Sequence, residues 1–143
     1  MKKLRVLFVC IGNRARSQMA EGFLRHLAGD RFEVCSAGTL QKGLSAITVE
    51  VMREVGIDVS AHRSKSVEEF VNEDFDYVIT VCDVARAACP RFDRSSSQLH
   101  WIITDPGELE ASGVVSIEAF RVAREEVRFR IEEFVGKLPE RTP

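Results

Sequence analysis

The chain has one tyrosine and almost no excess of charge, and each scarcity bears on which functions remain open. Twenty basic residues stand against 22 acidic ones, a formal charge of −2. No global field draws in nucleic acid or an anionic membrane, so neither is expected as a partner and any anion site must be local. No apolar run approaches the roughly 20 residues that cross a bilayer. Met1-Lys2-Lys3 ahead of Leu4 to Cys10 looks superficially like the start of a secretion signal, but the run is too short and Arg5 interrupts it. The expectation is a cytoplasmic protein. Its four cysteines are then expected to be mostly reduced thiols, not a structural disulfide framework. His26, His62 and His100 show no ligand spacing and are assigned packing or surface roles, with no metal and no cofactor.

What is present suits one domain over 1–143. The 143 residues are 45% apolar and 29% charged, enough for one sizeable core under a solvated surface. Only Lys2, Lys3, Lys42, Lys65 and Lys137 are lysine. The remaining basic residues are arginine, which suits planar, two-pronged recognition of oxyanions.

Leu4 to Cys10 is a nearly continuous apolar run of strand length, as in a strand buried on both faces. A helix is expected from Ser17 as N-cap, with Met19, Ala20, Phe23, Leu24 and Leu27 at helical spacing and Gly29 as its stop. A second strand is expected at about Phe32 to Ser36. A helix follows from about Ala46 to Val55, ended by Gly56. Ser66 and Glu69 form a capping box for a short helix through Val71. Asp76 to Cys82 reads as the third strand and about Leu99 to Ile103 as the fourth. The last helix, from near Ser116, carries Phe120, Ala123, Val127, Ile131, Phe134 and Leu138 on one stripe before Pro139. Strands alternating with helices predict an α/β fold, a parallel sheet flanked by helices on both faces.

The segment Cys10-Ile11-Gly12-Asn13-Arg14-Ala15-Arg16-Ser17 carries the chemistry. A cysteine and an arginine with five residues between them arise by chance about 0.4 times in such a composition, so spacing alone says little. This copy, however, lies at the C-terminal tip of a strand and at the start of a helix, where open parallel sheets place their ligands. Backbone N–H groups of Ile11, Gly12, Asn13, Arg14, Ala15, Arg16 and Ser17 are expected to cradle a tetrahedral oxyanion, aided by the helix dipole. Arg16 closes the cradle with a forked contact. Cys10 sits beneath the anion, where the same donors and the Ser17 hydroxyl stabilise a thiolate and make it a nucleophile. Gly12 permits tight curvature, and the Asn13 side chain suits bracing the loop from inside. Displacing an oxygen from the anion requires a proton donor, and Asp105 in Thr104-Asp105-Pro106-Gly107 is the candidate acid.

Cys82 and Cys89 are expected near the same sheet edge. The six residues between them are good helix formers, yet seven helical steps span about 10.5 Å. A disulfide needs Cα atoms within about 7 Å, so the segment must unwind if the pair is to bond. Beside an activated Cys10, a redox role for the pair outweighs inert packing. Cys35 is taken as a buried bystander.

Taken in order, Cys10 to Glu21, Ser36-Ala37-Gly38, Thr80-Val81-Cys82 with Cys89-Pro90, His100-Trp101 and Asp105-Pro106 resemble the thioredoxin-coupled arsenate reductases. The resemblance covers most of the chain. It implies the low-molecular-weight tyrosine phosphatase fold, a four-stranded parallel sheet flanked by helices. It also implies that Cys10 attacks arsenate, Arg16 holds its oxygens and Asp105 protonates the departing oxygen. Phosphate or sulfate would serve as analogues. Cys82 would then attack Cys10 with release of arsenite, and Cys89 would leave a Cys82 to Cys89 disulfide for thioredoxin to reduce. Asn13, Glu21 and Ser36 are implied as supports.

Two departures bear on function. The phosphatase relatives commonly carry tyrosines after the Asp-Pro pair, whereas Gly107-Glu108-Leu109 follows here and the only tyrosine is Tyr77. Some reductases hold a monovalent cation near the loop with an acidic residue where this chain has Lys65. Either no cation dependence or a lysine ammonium in the cation's place is expected. Three classes stay open at this stage. A redox enzyme needs Cys10, Cys82 and Cys89; a phosphatase needs only Cys10, Arg16 and Asp105; a phosphocysteine carrier should lack the general acid.

Overall fold

The computed structural model describes residues 2–82, 85, 89, 97–106 and 117–137. Strand β1 (Leu4–Cys10) leads into helix α1 (Arg16–Ala28), strand β2 (Phe32–Gly38) and helix α2 (Ala46–Arg53). A 3-10 turn (Val67–Phe70), strands β3 (Tyr77–Thr80) and β4 (Ser97–His100) and the long helix α3 (Ile117–Lys137) complete the described elements. All strand pairs are parallel, in the order β2-β1-β3-β4. The chain leaves β1 towards β2 on one side and later returns to β3 on the other. The C-terminal tip of β1 therefore lies at the switch point of the sheet, where an open crevice forms.

Burial follows from that order. Val6, Leu7, Phe8 and Val9 are all fully buried, so both faces of the central strand are covered. On one face Phe134 of α3 meets Phe32, Tyr77 and Trp101 at centroid distances of 5.8, 5.1 and 6.0 Å, and Trp101 in turn meets Phe8 at 5.8 Å. This aromatic cluster ties α3 across the sheet, each fully buried ring contributing roughly 1.5–3 kcal/mol. The expected stripe Phe120, Ala123, Val127, Ile131 and Phe134 is buried, while Leu138 and Ser116 lie outside the described residues. No helix among the described residues is long and apolar enough to cross a membrane.

Several boundaries differ from the sequence expectation. Helix α2 stops at Arg53 because Gly56 turns left-handed at φ 81°, and Val55 N–H and Ile57 N–H both donate to Met52 O. Strand β3 ends at Thr80 rather than Cys82, and β4 runs Ser97–His100 rather than to Ile103. Thr80 pairs with His100, Trp101 N–H makes one last bond to Thr80 O at 2.8 Å, and the chain then leaves the sheet. Release from the ladder exposes Ile102 and frees the Ile103 carbonyl for the crevice. Strand β2 extends to Gly38, because Gly38 pairs with Cys10 and its N–H donates to Lys65 O. Cys35, expected to be buried, is half-buried because β2 is an edge strand; burial still pushes its thiol pKa up. The capping box of Ser66 and Glu69 is present, on a 3-10 turn.

Candidate active site

Between Cys10 and Arg16 the backbone carbonyls point outward to donors. Thr39 N–H reaches Cys10 O at 3.0 Å, Leu40 N–H reaches Ile11 O at 2.8 Å and Lys42 N–H reaches Gly12 O at 2.9 Å. Gln18 Nε2 donates to Asn13 O, both Ser45 N–H and Thr48 Oγ1 donate to Arg14 O, and Met19 N–H donates to Ala15 O. A trans peptide sets each N–H opposite the carbonyl of the preceding residue. With the carbonyls of residues 10–15 engaged outside, the N–H groups of residues 11–16 turn to the inside of the loop, as a nest for an oxyanion requires. The Ser36-Ala37-Gly38 segment lies against this loop so closely that a Cβ on Gly38 would stand 2.5 Å from Ile11 O. Only glycine fits there.

Asn13 holds the loop from within. It is fully buried and adopts φ 51°, the left-handed region. Its Nδ2 donates to Ser17 Oγ at 2.8 Å and to Ser36 Oγ at 3.0 Å. Its Oδ1 accepts from Gln18 Nε2 at 3.0 Å and from Lys65 N–H at 2.7 Å. The amide thus fills all four hydrogen-bonding positions. Ser17 is not the N-cap of α1; the helix starts one residue earlier, after an Ala15 that makes no side-chain cap. The hydroxyl is drawn instead to Cys10 Sγ at 2.8 Å, and because it accepts from Asn13 its own hydrogen is free for the sulfur. Asn13 N–H also faces Cys10 Sγ, at 3.2 Å.

Arg16 is buried beside the loop. Its Nη1 donates to Val81 O and Ile103 O at 3.4 and 3.3 Å, and its Nη2 lies 3.4 Å from Asp105 Oδ2. The tail of β3, the tail of β4 and the start of α1 therefore meet on one guanidinium. Asp105 keeps about a third of its side-chain surface exposed, with access to solvent at the mouth. The structure sets Arg16 and Asp105 together at the end of the loop that Cys10 begins.

Cys82 joins them. The Ile11 N–H and the charge of Arg16 act on its thiol, as does the neighbouring Cys10, and Ala85 N–H donates to its sulfur at 3.3 Å. Burial dominates these influences and pushes the Cys82 thiol pKa up. Cys89 is half-buried and pushed up to about 11 by burial alone. Of the segment between the two cysteines only Ala85 is described, in helical conformation; the rest of the expected helix lies outside the described residues, as do Gly107, Glu108 and Leu109.

Behind the loop lies a buried polar cluster that sequence reasoning grasped only in part. Glu21 accepts from Ser36 Oγ at 2.6 Å, pairs with Arg25 at 2.8 Å and lies 3.7 Å from Lys65 Nζ. Lys65 Nζ also donates to Arg63 O at 2.6 Å. An ammonium group therefore stands beside Glu21. His62, assigned a packing or surface role, instead reaches Gln18 Oε1 with Nδ1 at 2.9 Å. No short motif could have signalled this, because 44 residues separate the partners.

Comparison with known proteins agrees with this geometry. The family described as low molecular weight phosphotyrosine protein phosphatase matches residues 5–142. An arsenate reductase of Halalkalibacterium halodurans is 35% identical over 134 residues, covering 94% of this chain and 96% of the relative. A solved arsenate reductase in the phosphate binding state superposes with a TM-score of 0.82 at 33% identity, covering 95% of this chain and 99% of that one. A thioredoxin-dependent arsenate reductase of Corynebacterium glutamicum superposes with a TM-score of 0.72 at 31% identity, covering 94% of this chain and 61% of its own.

Proposed function

Because the chain belongs to the low-molecular-weight phosphotyrosine protein phosphatase family, we propose that it works as an arsenate reductase, using a three-cysteine relay that thioredoxin regenerates. The observation that carries this reading is the placement of Cys82 against the loop, within the influence of Cys10, Arg16 and the Ile11 N–H. A phosphatase has no use for a second thiol there.

In the proposed sequence the Cys10 thiolate attacks arsenate held by the inward N–H groups and by Arg16. An arsenate oxygen leaves as water after taking a proton from Asp105. The Cys82 thiolate then attacks Cys10 sulfur. The sulfur–arsenic bond breaks, its electron pair stays on arsenic, and arsenite departs from a Cys10–Cys82 disulfide. Cys89 attacks Cys82 next, freeing Cys10 as thiolate. The resulting Cys82–Cys89 disulfide is reduced by the dithiol of thioredoxin, which becomes the oxidised partner. Arsenate loses one oxygen and gains two electrons, and two thiols become one disulfide. The raised pKa values of Cys82 and Cys89 fit such an order. Buried thiols stay protonated in the resting protein and react when the step before them changes their surroundings. A relay of free thiols belongs in a reducing compartment, the cytoplasm.

A second reading, a phosphomonoesterase of the tyrosine phosphatase type, is favoured by the family itself and needs only Cys10, Arg16 and Asp105. The sole tyrosine does not support it as an aromatic wall, since Tyr77 stands edge-on against Phe134 in the core cluster.

The variant Cys89→Ser separates the two. In the relay, Cys10 and Cys82 still react once, so it releases about one arsenite per chain and stalls as a Cys10–Cys82 disulfide. Hydrolysis of p-nitrophenyl phosphate, if present, persists at the parent level. Quench-flow arsenite counts and disulfide mapping by mass spectrometry read the outcome. Sustained thioredoxin-linked turnover by this variant excludes the relay as drawn.

A further inference from the structure

We propose that Glu126 of α3 is a positioning residue for Asp105, holding the residue before the acid with both oxygens of its carboxylate. The inference rests on the reading of Asp105 as the proton donor to the departing arsenate oxygen. Glu126 stands on the long helix, 22 positions beyond the threonine that it holds.

After Trp101 the chain has left the sheet, so residues 102–106 need other anchors. The peptide that joins Ile103 to Thr104 is gripped at both ends. Its carbonyl accepts from Arg16 Nη1 at 3.3 Å, and its N–H donates to Glu126 Oε2 at 2.8 Å. A trans peptide is planar and sets these two groups on opposite sides, so the unit spans rigidly from the guanidinium to α3. The Thr104 hydroxyl then donates to Glu126 Oε1 at 2.9 Å, which fixes the side chain as well as the backbone of the residue directly before Asp105. Both bonds have a charged acceptor, the stronger kind. Ile103 and Pro106 are buried while Thr104 is exposed, so packing alone does not hold Thr104 and the carboxylate does. Glu118, Glu125 and Glu133 pair with arginine or lysine of α3 itself. Arg130 lies four residues beyond Glu126 yet pairs with Glu133, and Glu126 gives both oxygens to the turn.

What Glu126 supplies is the placement of the acid. Asp105 meets Arg16 Nη2 at 3.4 Å and keeps about a third of its side chain exposed, so its own contacts leave it room to swing. Proton donation needs the carboxyl group within hydrogen-bond reach of the leaving oxygen, and a misplacement of about 1 Å can cost about 10²-fold. Without Glu126 the 103–104 peptide is released at its N–H end, and Asp105, one residue on, turns with it. Arg16 keeps Val81 O as a partner, so the clamp on the anion holds. The loss therefore falls on the chemical step and spares oxyanion binding.

The experiment mixes reduced protein with arsenate in the absence of thioredoxin and follows arsenite release by quench flow, beside titration with inorganic phosphate. It compares the parent, Glu126→Ala, Glu126→Gln, Thr104→Ser, Asp105→Asn and the double variant Glu126→Ala/Asp105→Asn. Glu126→Ala is expected to lower the single-turnover rate roughly ten-fold while phosphate affinity stays within about two-fold of the parent. Glu126→Gln, whose amide oxygen replaces one of the two acceptors, loses roughly three-fold. Thr104→Ser keeps both donors and stays within about two-fold of the parent rate. In the Asp105→Asn background Glu126→Ala adds less than about two-fold, because the group it places no longer donates a proton. A role in folding alone would lower rate and affinity together and would add to the loss in Asp105→Asn. A parent-like rate in Glu126→Ala, a fall in phosphate affinity that matches the fall in rate, a loss in Thr104→Ser as deep as in Glu126→Ala, or full additivity with Asp105→Asn each overturns the proposal. A parent that releases no arsenite overturns the reductase reading and this inference with it; a parent that releases it beside any of those results sinks this inference alone.

Discussion

Arg16 Nη2 and Asp105 Oδ2 stand 3.4 Å apart, so the group proposed to bind the oxyanion and the group proposed to protonate its departing oxygen already face each other across the mouth of the loop. The pair is made between the start of α1 and the chain just beyond β4. Arg16 is held in place by two further carbonyls, Val81 O and Ile103 O, and does not depend on Asp105 for its position. An entering anion can take over the guanidinium fork while the carboxyl group remains within reach of its oxygens.

Arg16→Lys is expected to lower kcat/KM for arsenate by about 10²-fold or more, since an ammonium cannot hold two carbonyls and offer a two-pronged contact together. Arg16→Ala should lose at least as much. Steady-state NADPH oxidation coupled through thioredoxin and its reductase measures both. Near-parent turnover by the lysine variant would mean that simple charge suffices.

Asp105→Asn should slow the first chemical step by roughly 10²-fold, because the amide cannot pass a proton to the leaving oxygen. Phosphate affinity should hold or improve, as a negative charge beside the bound anion has been removed. Single-turnover rates set beside phosphate titration decide it; an unchanged rate with parent affinity removes Asp105 from the chemistry.

Lys65→Met should leave Glu21 with Arg25 and Ser36 as partners but without the internal ammonium. Loss of one partner of a buried carboxylate is expected to cost roughly 1–2 kcal/mol, a fall in Tm of about 3–6 °C. Parent activity should be the same in potassium, sodium and tetramethylammonium buffers of equal ionic strength. Activation of the parent by potassium would show that Lys65 does not stand in for a cation.

His62 should make stability fall on mild acidification. Burial above all, then the neighbouring Arg25 and Lys65 charges, lower its pKa below 6.5, against an opposing pull from Glu21. As the pH drops through about 6.5 the unfolded chain takes up a proton that the folded chain resists, so stability is lost until the folded ring also protonates. Each pKa unit of lowering removes about 1.4 kcal/mol by the bottom of that window. Thermal melts from pH 7.5 to 5 should therefore show a steeper loss for the parent than for His62→Asn. Parallel curves would remove the effect.

The loop and its nucleophile were legible because their information is local. Cys10 to Ser17 is one continuous segment between an apolar strand and an apolar-periodic helix, and the register of β1, α1 and the capping box at Ser66 follows from neighbours a few residues apart. Hydrophobic spacing also sufficed for the buried stripe of α3. Strand ends were less legible. Where β3 and β4 stop depends on their mutual pairing, and the apolar letters of Val81, Ile102 and Ile103 read the same inside the ladder or beyond it.

The sequence by itself determined the elements, the sheet's open edge at Cys10 and the residue types that can bind and attack an oxyanion, since each rests on contacts within a few residues along the chain. Only the tertiary structure decided that the Ile103 carbonyl and Asp105 reach Arg16 across more than 80 positions, that Cys82 comes within the influence of Cys10, and that His62 meets Gln18 from 44 residues away. The Ser17 hydroxyl shows the same division. Its place at the start of a helix suited a cap, but once the loop closes on Asn13 the buried sulfur of Cys10 is the acceptor within reach. Hydrogen bonds between distant segments depend on which groups the packed core brings together, and no periodicity in the chain encodes that.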